Sequence, residues 1–240
     1  MVQAPQRATI RGPTFIRLLA SLTDVDVPQA KQSLSDRLSQ WLDWTHAIAL
    51  STALDGKPPA TGNDVPAADS AEENECARVR GSLVHAITSD REWPRGAAEE
   101  GGANAEEPDY TAFRQRYLAL QRSMQSATGS LRGRLRDRLA HPSADMARLA
   151  EVDAVMELAL SPREQALLAA VPALLGEHFE RLRQAGHKTP DDTRVSQDSP
   201  ATTPRGWLEV FRKDMQSVLL AELDVRFQPV EGLLAALRTR

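Results

Sequence analysis

Cys76 and five histidines are the side chains of this sequence best suited to bind a transition metal. A structural zinc site needs ligands in pairs at short spacings, but Cys76 and His85 are nine residues apart and no second cysteine is present. Asp43 and His46 form one Asp-x-x-His unit, whereas a di-iron bundle needs a second unit and further carboxylates. We therefore predict no metal and no cofactor.

A catalytic nucleophile needs an activating environment, which this sequence does not provide. It contains no Gly-x-Ser-x-Gly elbow and no Gly-rich phosphate loop. Cys76 follows the acidic residues Glu72, Glu73 and Glu75, which raise the pKa of a thiol rather than lower it. We predict that the protein is not an enzyme and has no catalytic residues.

One long helix with arginines along its flanks is predicted between Asp109 and His141. Its apolar residues, with Thr128 filling one gap, recur at steps of three and four and form one stripe at about 100° per residue: Tyr110, Phe113, Tyr117, Leu120, Met124, Leu131, Leu135 and Leu139. Seven arginines and one acidic residue lie in the same span. Six of them form a candidate interaction surface: Arg114, Arg116, Arg132, Arg134, Arg136 and Arg138.

Three interpretations of these arginines compete. Their stems can cover the apolar edges of a bundle helix, or their charges can bind a protein partner or a nucleic acid. A groove-binding helix needs a single basic face, whereas these arginines project on both sides of the stripe. In addition, residues 55–109 include thirteen acidic and five basic residues, so the nearest anionic partner lies within the chain. We favour the first interpretation and rank nucleic acid last.

The composition is that of a helical protein. Only 41% of the 240 residues are hydrophobic and 5% are aromatic, so leucine and alanine must form the core. A net charge of −4 gives no general attraction to nucleic acid or to an anionic membrane. A single cysteine favours a reducing compartment, and no apolar run reaches the roughly 18 residues of a membrane span. We expect a cytoplasmic protein without membrane insertion, and the preference for arginine over lysine suggests a bacterial source.

The N-terminal stretch 1–54 is predicted to form a pair of helices. The first covers residues 13–22, and the second runs from Pro28 to about Leu54. One face of the second helix carries Leu34, Leu38, Trp41, Thr45, Ile48 and Thr52. Trp44 and Leu50 lie off that face, and we add them to the candidate interaction surface.

Residues 55–108 are predicted to form an acidic flexible region with one helix. The helix extends from Ser70 to about Asp90, and Ser70 with Glu73 can form a capping box. The Pro-, Gly- and Glu-rich stretches on either side contain too few apolar residues to offset the entropy of ordering.

Residues 109–186 are predicted to be the helical core. After the Arg-flanked helix, a second helix is expected to end at Leu160, and Ser161-Pro162 is expected to start a third, kinked at Pro172 and stopped by Gly186. Residues 187–204 are predicted to be a disordered linker. Residues 205–240 are predicted to be a C-terminal helical segment docked on the core and broken at Pro229.

The predicted fold class is all-α. No segment shows the alternation of a β-strand, so we expect an irregular bundle of about six amphipathic helices joined by disordered linkers. Five segments resemble a known family: GPTFIRLL, DVPQAKQSLSDRLSQWLDWTHAIALS, PDYTAFRQRYLALQRSMQ, LSPREQALLAAVPALLGEHFERLR and GWLEVFRKDMQSVLLAELDVRFQPVEGLLAAL. The family is an uncharacterised proteobacterial one, domain of unknown function 3348. The resemblance implies no enzymatic activity and no functional residues, and it suggests a helper of a cell-envelope assembly.

Together these observations favour a non-enzymatic interaction or scaffold protein whose partner is another helical protein or a second copy of the chain. The alternative is a nucleic-acid-associated regulator that uses the Arg-flanked helix 110–141. An enzyme with its site inside the bundle is the third hypothesis. It would require His85, His141 or His178 to meet carboxylates in one buried pocket.

Overall fold

The computed structural model of the protein describes residues 14–23, 32–56, 69–89, 93, 109–187 and 206–239. Eight α-helices and no β-strand lie in these ranges, which confirms the predicted all-α class. The helices are α1 (Thr14–Thr23), α2 (Leu34–Trp41), α3 (Trp44–Asp55), α4 (Asp69–Thr88), α5 (Tyr110–Leu139), α6 (Ala144–Leu168), α7 (Val171–His187) and α8 (Gly206–Arg238).

The centre of the molecule is the packing of α5 against α8. The apolar stripe predicted for α5 is buried from Phe113 to Leu139, and Tyr110 at its start is half-buried. Helix α8 contributes thirteen buried residues to the same core. Because the two longest helices bury their stripes against each other, they form the scaffold on which the others pack.

The remaining helices surround this pair unevenly. Helices α1 and α7 pack on α8 and on each other, and α4 packs on both α5 and α8. Helix α6 packs on α5, and α3 lies outside it with α6 as its main contact. The layer formed by α3 and α6 is therefore the most peripheral part of the bundle.

Aromatic rings fill the space between α5, α7 and α8. The ring centroid of Phe211 lies 5.0 Å from that of Phe179 and 5.3 Å from that of Phe113, both edge to face. The Tyr110 hydroxyl donates a hydrogen bond to the carbonyl oxygen of Pro172. Burial raises the pKa of Tyr110 to about 12, so the phenol keeps its proton and remains a donor.

The N-terminal pair of helices differs from the prediction. The single helix expected from Pro28 to Leu54 is two helices, because α2 ends at Trp41. Asp43 then caps α3, since its carboxylate accepts a 2.9 Å hydrogen bond from the backbone amide of His46. Ser33 caps α2 in the same way. Short polar side chains that bond nearby backbone amides start new helices, and these two were not recognised as caps in the sequence. Residues 24–31 lie outside the described part.

Two prolines that were expected to interrupt helices lie inside continuous ones. Helix α6 runs through Pro162 to Leu168, and α8 runs through Pro229 to Arg238, so the predicted start at Ser161 and the predicted break at Pro229 are wrong. Buried residues follow each proline, among them Leu168 on α6 and Leu233 on α8. Their packing stabilises the helix beyond the proline and outweighs the lost hydrogen bond.

The start and end of α7 also differ from the prediction. Pro172 is the second residue of α7, a position whose amide needs no helical partner, so it does not kink a longer helix. Gly186 lies within the last turn, since α7 ends at His187. Helix α4 begins at Asp69, one residue before the expected cap at Ser70. The stretches predicted to be flexible lie largely outside the described residues, and the division into domains stays a prediction.

Replacing Pro162 with alanine is expected to raise the free energy of unfolding by about 1–3 kcal/mol. The proline cannot donate to the carbonyl oxygen of Leu158, and its exposed ring contributes little packing, so alanine restores a hydrogen bond at small cost. Urea denaturation measures the change. Pro162→Gly is the matched control and should gain about 1 kcal/mol less. No gain from alanine would mean that α6 is divided at Ser161-Pro162 after all.

Candidate interaction surface

Exposed apolar side chains are concentrated on three of the helices. Nine large apolar residues are exposed in the described part, and seven of them lie on α2, α3 and α6. They are Leu34, Trp44, Ile48, Leu54, Leu149, Leu158 and Leu167. Of the two central helices, α5 has no large apolar residue in this exposed group and α8 has one, Val210. The α3–α6 layer is therefore the part of the surface most enriched in apolar groups.

Trp44 is the most exposed of these side chains, with 79% of its surface accessible. Ile48 follows four residues later on the same face of α3 and is 50% exposed. Ala53, which is buried, lies nine residues after Trp44 and thus half a turn away at about 100° per residue. We call the side that carries Trp44 and Ile48 the outer face of α3. Leu50, predicted for the same surface, is half-buried.

Two local interactions hold α2 and α3 in position. The guanidinium carbon of Arg163 on α6 lies 5.1 Å from the ring centroid of Trp41, at the end of α2. The carboxylate of Asp43 accepts from the backbone amide of His46 and fixes the first turn of α3. The outer face is therefore presented by a capped helix and not by a loop.

Arg132 and Arg136 on α5 do not reach solvent as free charges. Arg132 binds both carboxylate oxygens of Asp153 on α6, at 2.7 and 2.8 Å, and Arg136 contacts Asp153 at 3.1 Å and also pairs with Glu157. All four side chains are at most 27% exposed. This network joins α5 to α6. The positive charges of Arg132 and Arg136 are already paired with carboxylates and are not left to bind an external anion.

Three of the other four arginines of the candidate surface bind groups of α4. Arg134 pairs with Glu75 at 3.1 Å and Arg138 with Glu72 at 2.7 Å, so both bind the acidic helix α4. Arg116 is half-buried and donates to the carbonyl oxygen of Ala86 at 2.7 Å. Arg114 is exposed. The arginines that the sequence grouped together thus bind α4 on one side of α5 and α6 on the other.

A cluster of histidines and carboxylates, which an enzyme in the bundle would require, is not seen in the described residues. His178 is buried and its Nε2 lies 2.8 Å from a carboxylate oxygen of Asp214 on α8. His85 and His141 are exposed and far from this pair in the sequence. Within the part of the chain that the structure describes, no group of three or more metal-ligating side chains occurs. One histidine and one carboxylate form an ion pair or hydrogen bond and need no catalytic explanation.

The most unusual polar group in the core was missed by the sequence analysis. Glu222 on α8 is completely buried, and its carboxylate accepts from Arg226 at 2.8 and 2.9 Å and from the Tyr117 hydroxyl at 2.6 Å. Gln121 lies within 3.3 Å of the same carboxylate, and Arg226 reaches Glu164 on α6 at 3.3 Å. Burial and then the neighbouring carboxylate raise the pKa of Tyr117, which therefore stays a donor. The (i, i+4) spacing of Glu222 and Arg226 was the available signal.

This arrangement defines an all-α bundle with an internal polar network and an apolar outer layer. The chain belongs to the family described as protein of unknown function (DUF3348), whose model matches residues 1–239. No match was found among curated proteins or among solved structures. None of the helices in the described ranges combines the length and the apolar character that a membrane crossing requires.

Proposed function

We propose that this protein is a non-enzymatic interaction protein that binds another helical protein, or a second copy of itself, through the outer face of α3. The observation that carries the proposal is the exposure of Trp44, with Ile48 one turn further along the same face. Tryptophan is enriched among the residues that dominate binding energy at interfaces. An apolar patch on a soluble bundle is a recurrent feature of such interfaces.

The way α3 is held supports the same proposal. Its inner side carries the buried Ala53 and packs on α6, and its first turn is capped by Asp43. A surface that is already ordered loses less conformational entropy on binding than a flexible one. The outer face is therefore organised for docking before a partner arrives.

Trp44→Ala combined with Ile48→Ala is expected to weaken partner or self-association by about 30-fold or more, the equivalent of the roughly 2 kcal/mol typical of an interface hot spot. Light scattering of the purified protein over a dilution series measures self-association, and crosslinking followed by co-purification from its native cells measures partner retention. Both measurements report on the same face.

The matched control replaces the two exposed apolar residues outside the α2, α3 and α6 group, with Ile16→Ala and Val210→Ala. This variant removes exposed apolar surface from two other helices, although less of it, and should associate as the wild type does. A wild-type protein that is monomeric at all concentrations and retains no partner would contradict the proposal. Equal association of both double variants would contradict the assignment to α3.

The alternative function, a nucleic-acid-associated regulator that uses residues 110–141, has less support. Four of its arginines, Arg132, Arg134, Arg136 and Arg138, are in ion pairs with acidic residues of this chain. A role in a cell-envelope assembly rests on the family resemblance alone, and a cytoplasmic location and a bacterial source rest on composition. The proposed docking face does not depend on any of these three expectations.

A further inference from the structure

The two halves of α4 are attached to the bundle in different ways. Its C-terminal half is anchored by packing, because Leu83 and Ile87 are buried and Trp93 donates a 2.9 Å hydrogen bond to the carbonyl oxygen of Ile87. The side chain of Arg80, at the start of this half, also attaches it to α8. Its guanidinium lies 5.3 Å from the ring centroid of Phe227 and pairs with two acidic residues of α8.

The N-terminal half, residues 71–79, is held mainly by charge. Cys76 is its one buried residue. Three of its glutamates form ion pairs with arginines of α5 and α8: Glu72 with Arg138 at 2.7 Å, Glu73 with Arg238 at 2.5 Å and Glu75 with Arg134 at 3.1 Å. In each pair at least one partner is more than a third exposed. Such exposed pairs contribute little to stability individually and weaken with added salt.

Open space flanks this half on both sides. A cavity of about 330 Å³ lies between α4 and α5 over Leu131 and Leu135. A second cavity, of about 580 Å³, lies between α4 and α8 over Phe227, Val230 and Leu234. The N-terminal half of α4 therefore covers these apolar side chains without filling the space around them, and it contributes little of the close packing that holds a helix in place.

A glycine lies next to the boundary between the two halves. Gly81 lies in the interior of α4, and a Cβ built there would meet no atom within 4 Å, so close packing does not require it. Glycine in a helix interior destabilises the helix relative to alanine, because its backbone loses more conformational entropy on folding. The weakest point of α4 thus lies beside the boundary between its charged half and its packed half.

We propose that residues 71–79 form a detachable acidic cover over an apolar seam of α5 and α8, and that an acidic amphipathic helix of a partner protein can take the place of this cover. The seam consists of Leu131 and Leu135 on α5 and of Phe227, Val230 and Leu234 on α8. Arg134, Arg138 and Arg238 form its rim. An apolar groove with a basic rim fits a helix that has one apolar and one acidic face, which is the pattern of the cover itself.

Cys76 reports directly on whether the cover is open, because it is the only cysteine of the chain and is 7% exposed. The experiment measures its rate of alkylation by N-ethylmaleimide, an uncharged reagent, in the full-length protein. Arg134→Gln, Arg138→Gln and Arg238→Gln together should raise this rate about tenfold, since three exposed ion pairs are lost. The control variant Arg114→Gln, Arg122→Gln and Arg148→Gln removes the same charge and should react as the wild type does.

The reactivity of the thiol itself would change in the opposite direction. Burial raises the pKa of Cys76, and the charge of Arg134 counteracts that rise. Loss of the arginine would therefore reduce the thiolate fraction and slow alkylation if the cover stayed closed. Faster alkylation consequently identifies opening. Gly81→Ala, which strengthens the helix at the boundary, should slow alkylation of the otherwise wild-type protein severalfold.

The occupant is tested with a fluorescent peptide of residues 69–88 in which Cys76 is replaced by serine. The chain with Glu72→Gln, Glu73→Gln and Glu75→Gln keeps the arginine rim while its own cover is weakened, so it should bind this peptide about tenfold more tightly than the wild type does. The triple arginine variant should bind the peptide more weakly than the glutamine variant does. A peptide with the three glutamates changed to glutamine is the control ligand.

Several outcomes would overturn the proposal. Equal alkylation of the wild type and both arginine variants would show that the cover does not open through its ion pairs. A glutamine variant that binds no peptide would show that the seam accepts no acidic helix. If that variant instead dimerises more strongly than the wild type in the absence of peptide, the occupant is α4 of a second copy and not a partner helix. The outer face of α3 is unchanged in all these variants, so their results are independent of the proposed function.

Discussion

Arg226→Met is expected to lower the free energy of unfolding by about 3–5 kcal/mol, because it leaves a buried carboxylate without its counter-ion. Glu222 is completely buried, and the Arg226 side chain is 5% exposed, so water cannot replace the lost partner. Tyr117 and Gln121 remain as neutral donors to the carboxylate, which reduces the loss without removing it. Urea or thermal denaturation measures the change.

Two further variants separate the charge effect from the loss of a side chain. Arg226→Met combined with Glu222→Leu should recover much of the stability, since replacing both members of a buried ion pair is often neutral. Arg78→Met removes a similar bidentate contact with a glutamate at the surface, where the arginine is 69% exposed. It should leave the free energy of unfolding almost unchanged, because solvent screens an exposed ion pair. A cost this small for Arg226→Met would mean that solvent reaches Glu222.

Phe211→Ala is expected to destabilise the protein by about 3–5 kcal/mol. The Phe211 ring is completely buried and lies at the centre of the aromatic group, edge to face with Phe113 and Phe179. Its removal leaves a cavity where α5, α7 and α8 meet, and long helices cannot easily collapse into such a space. The decrease in the free energy of unfolding is measured by chemical denaturation.

The neighbouring residue provides the control for this substitution. Val210 is 47% exposed on the same turn of α8, and Val210→Ala should change stability by no more than about 0.5 kcal/mol. If Phe211→Ala and Val210→Ala cost the same, the aromatic group does not hold α7 against the central pair. An intermediate cost would instead measure how far the neighbouring rings close the cavity.

The periodicity of the sequence was sufficient to predict α5 in detail. A single stripe at helical spacing has one physical solution, burial against another apolar surface, and α8 provides that surface. Boundaries that depend on tertiary packing were harder to predict. Pro162 and Pro229 carry the local signals of a helix start and a helix break, but the packing of the residues that follow decides the outcome.

For the candidate surface, too, local sequence patterns were predictable and tertiary contacts were not. Trp44 was singled out because it lies off the expected stripe, and it is exposed. The partners of the arginines could be predicted only as acidic residues somewhere in the chain, because pairing Arg132 with Asp153 or Arg138 with Glu72 requires the arrangement of α4, α5 and α6 in space. Glu222 and Arg226 were missed because charged residues are expected at the surface unless their burial is known.

The central position of α8 also affects how the chain folds during its synthesis on the ribosome. The stripe of α5 is synthesised long before the helix that covers it, so a nascent chain displays those leucines and aromatic rings to the cell until residues 206–238 have emerged. Contacts between segments so distant in sequence form late, and the intermediates that precede them are prone to aggregate. Helix α8 is translated after the described helices on which it packs, and its arrival completes the burial of the α5 stripe.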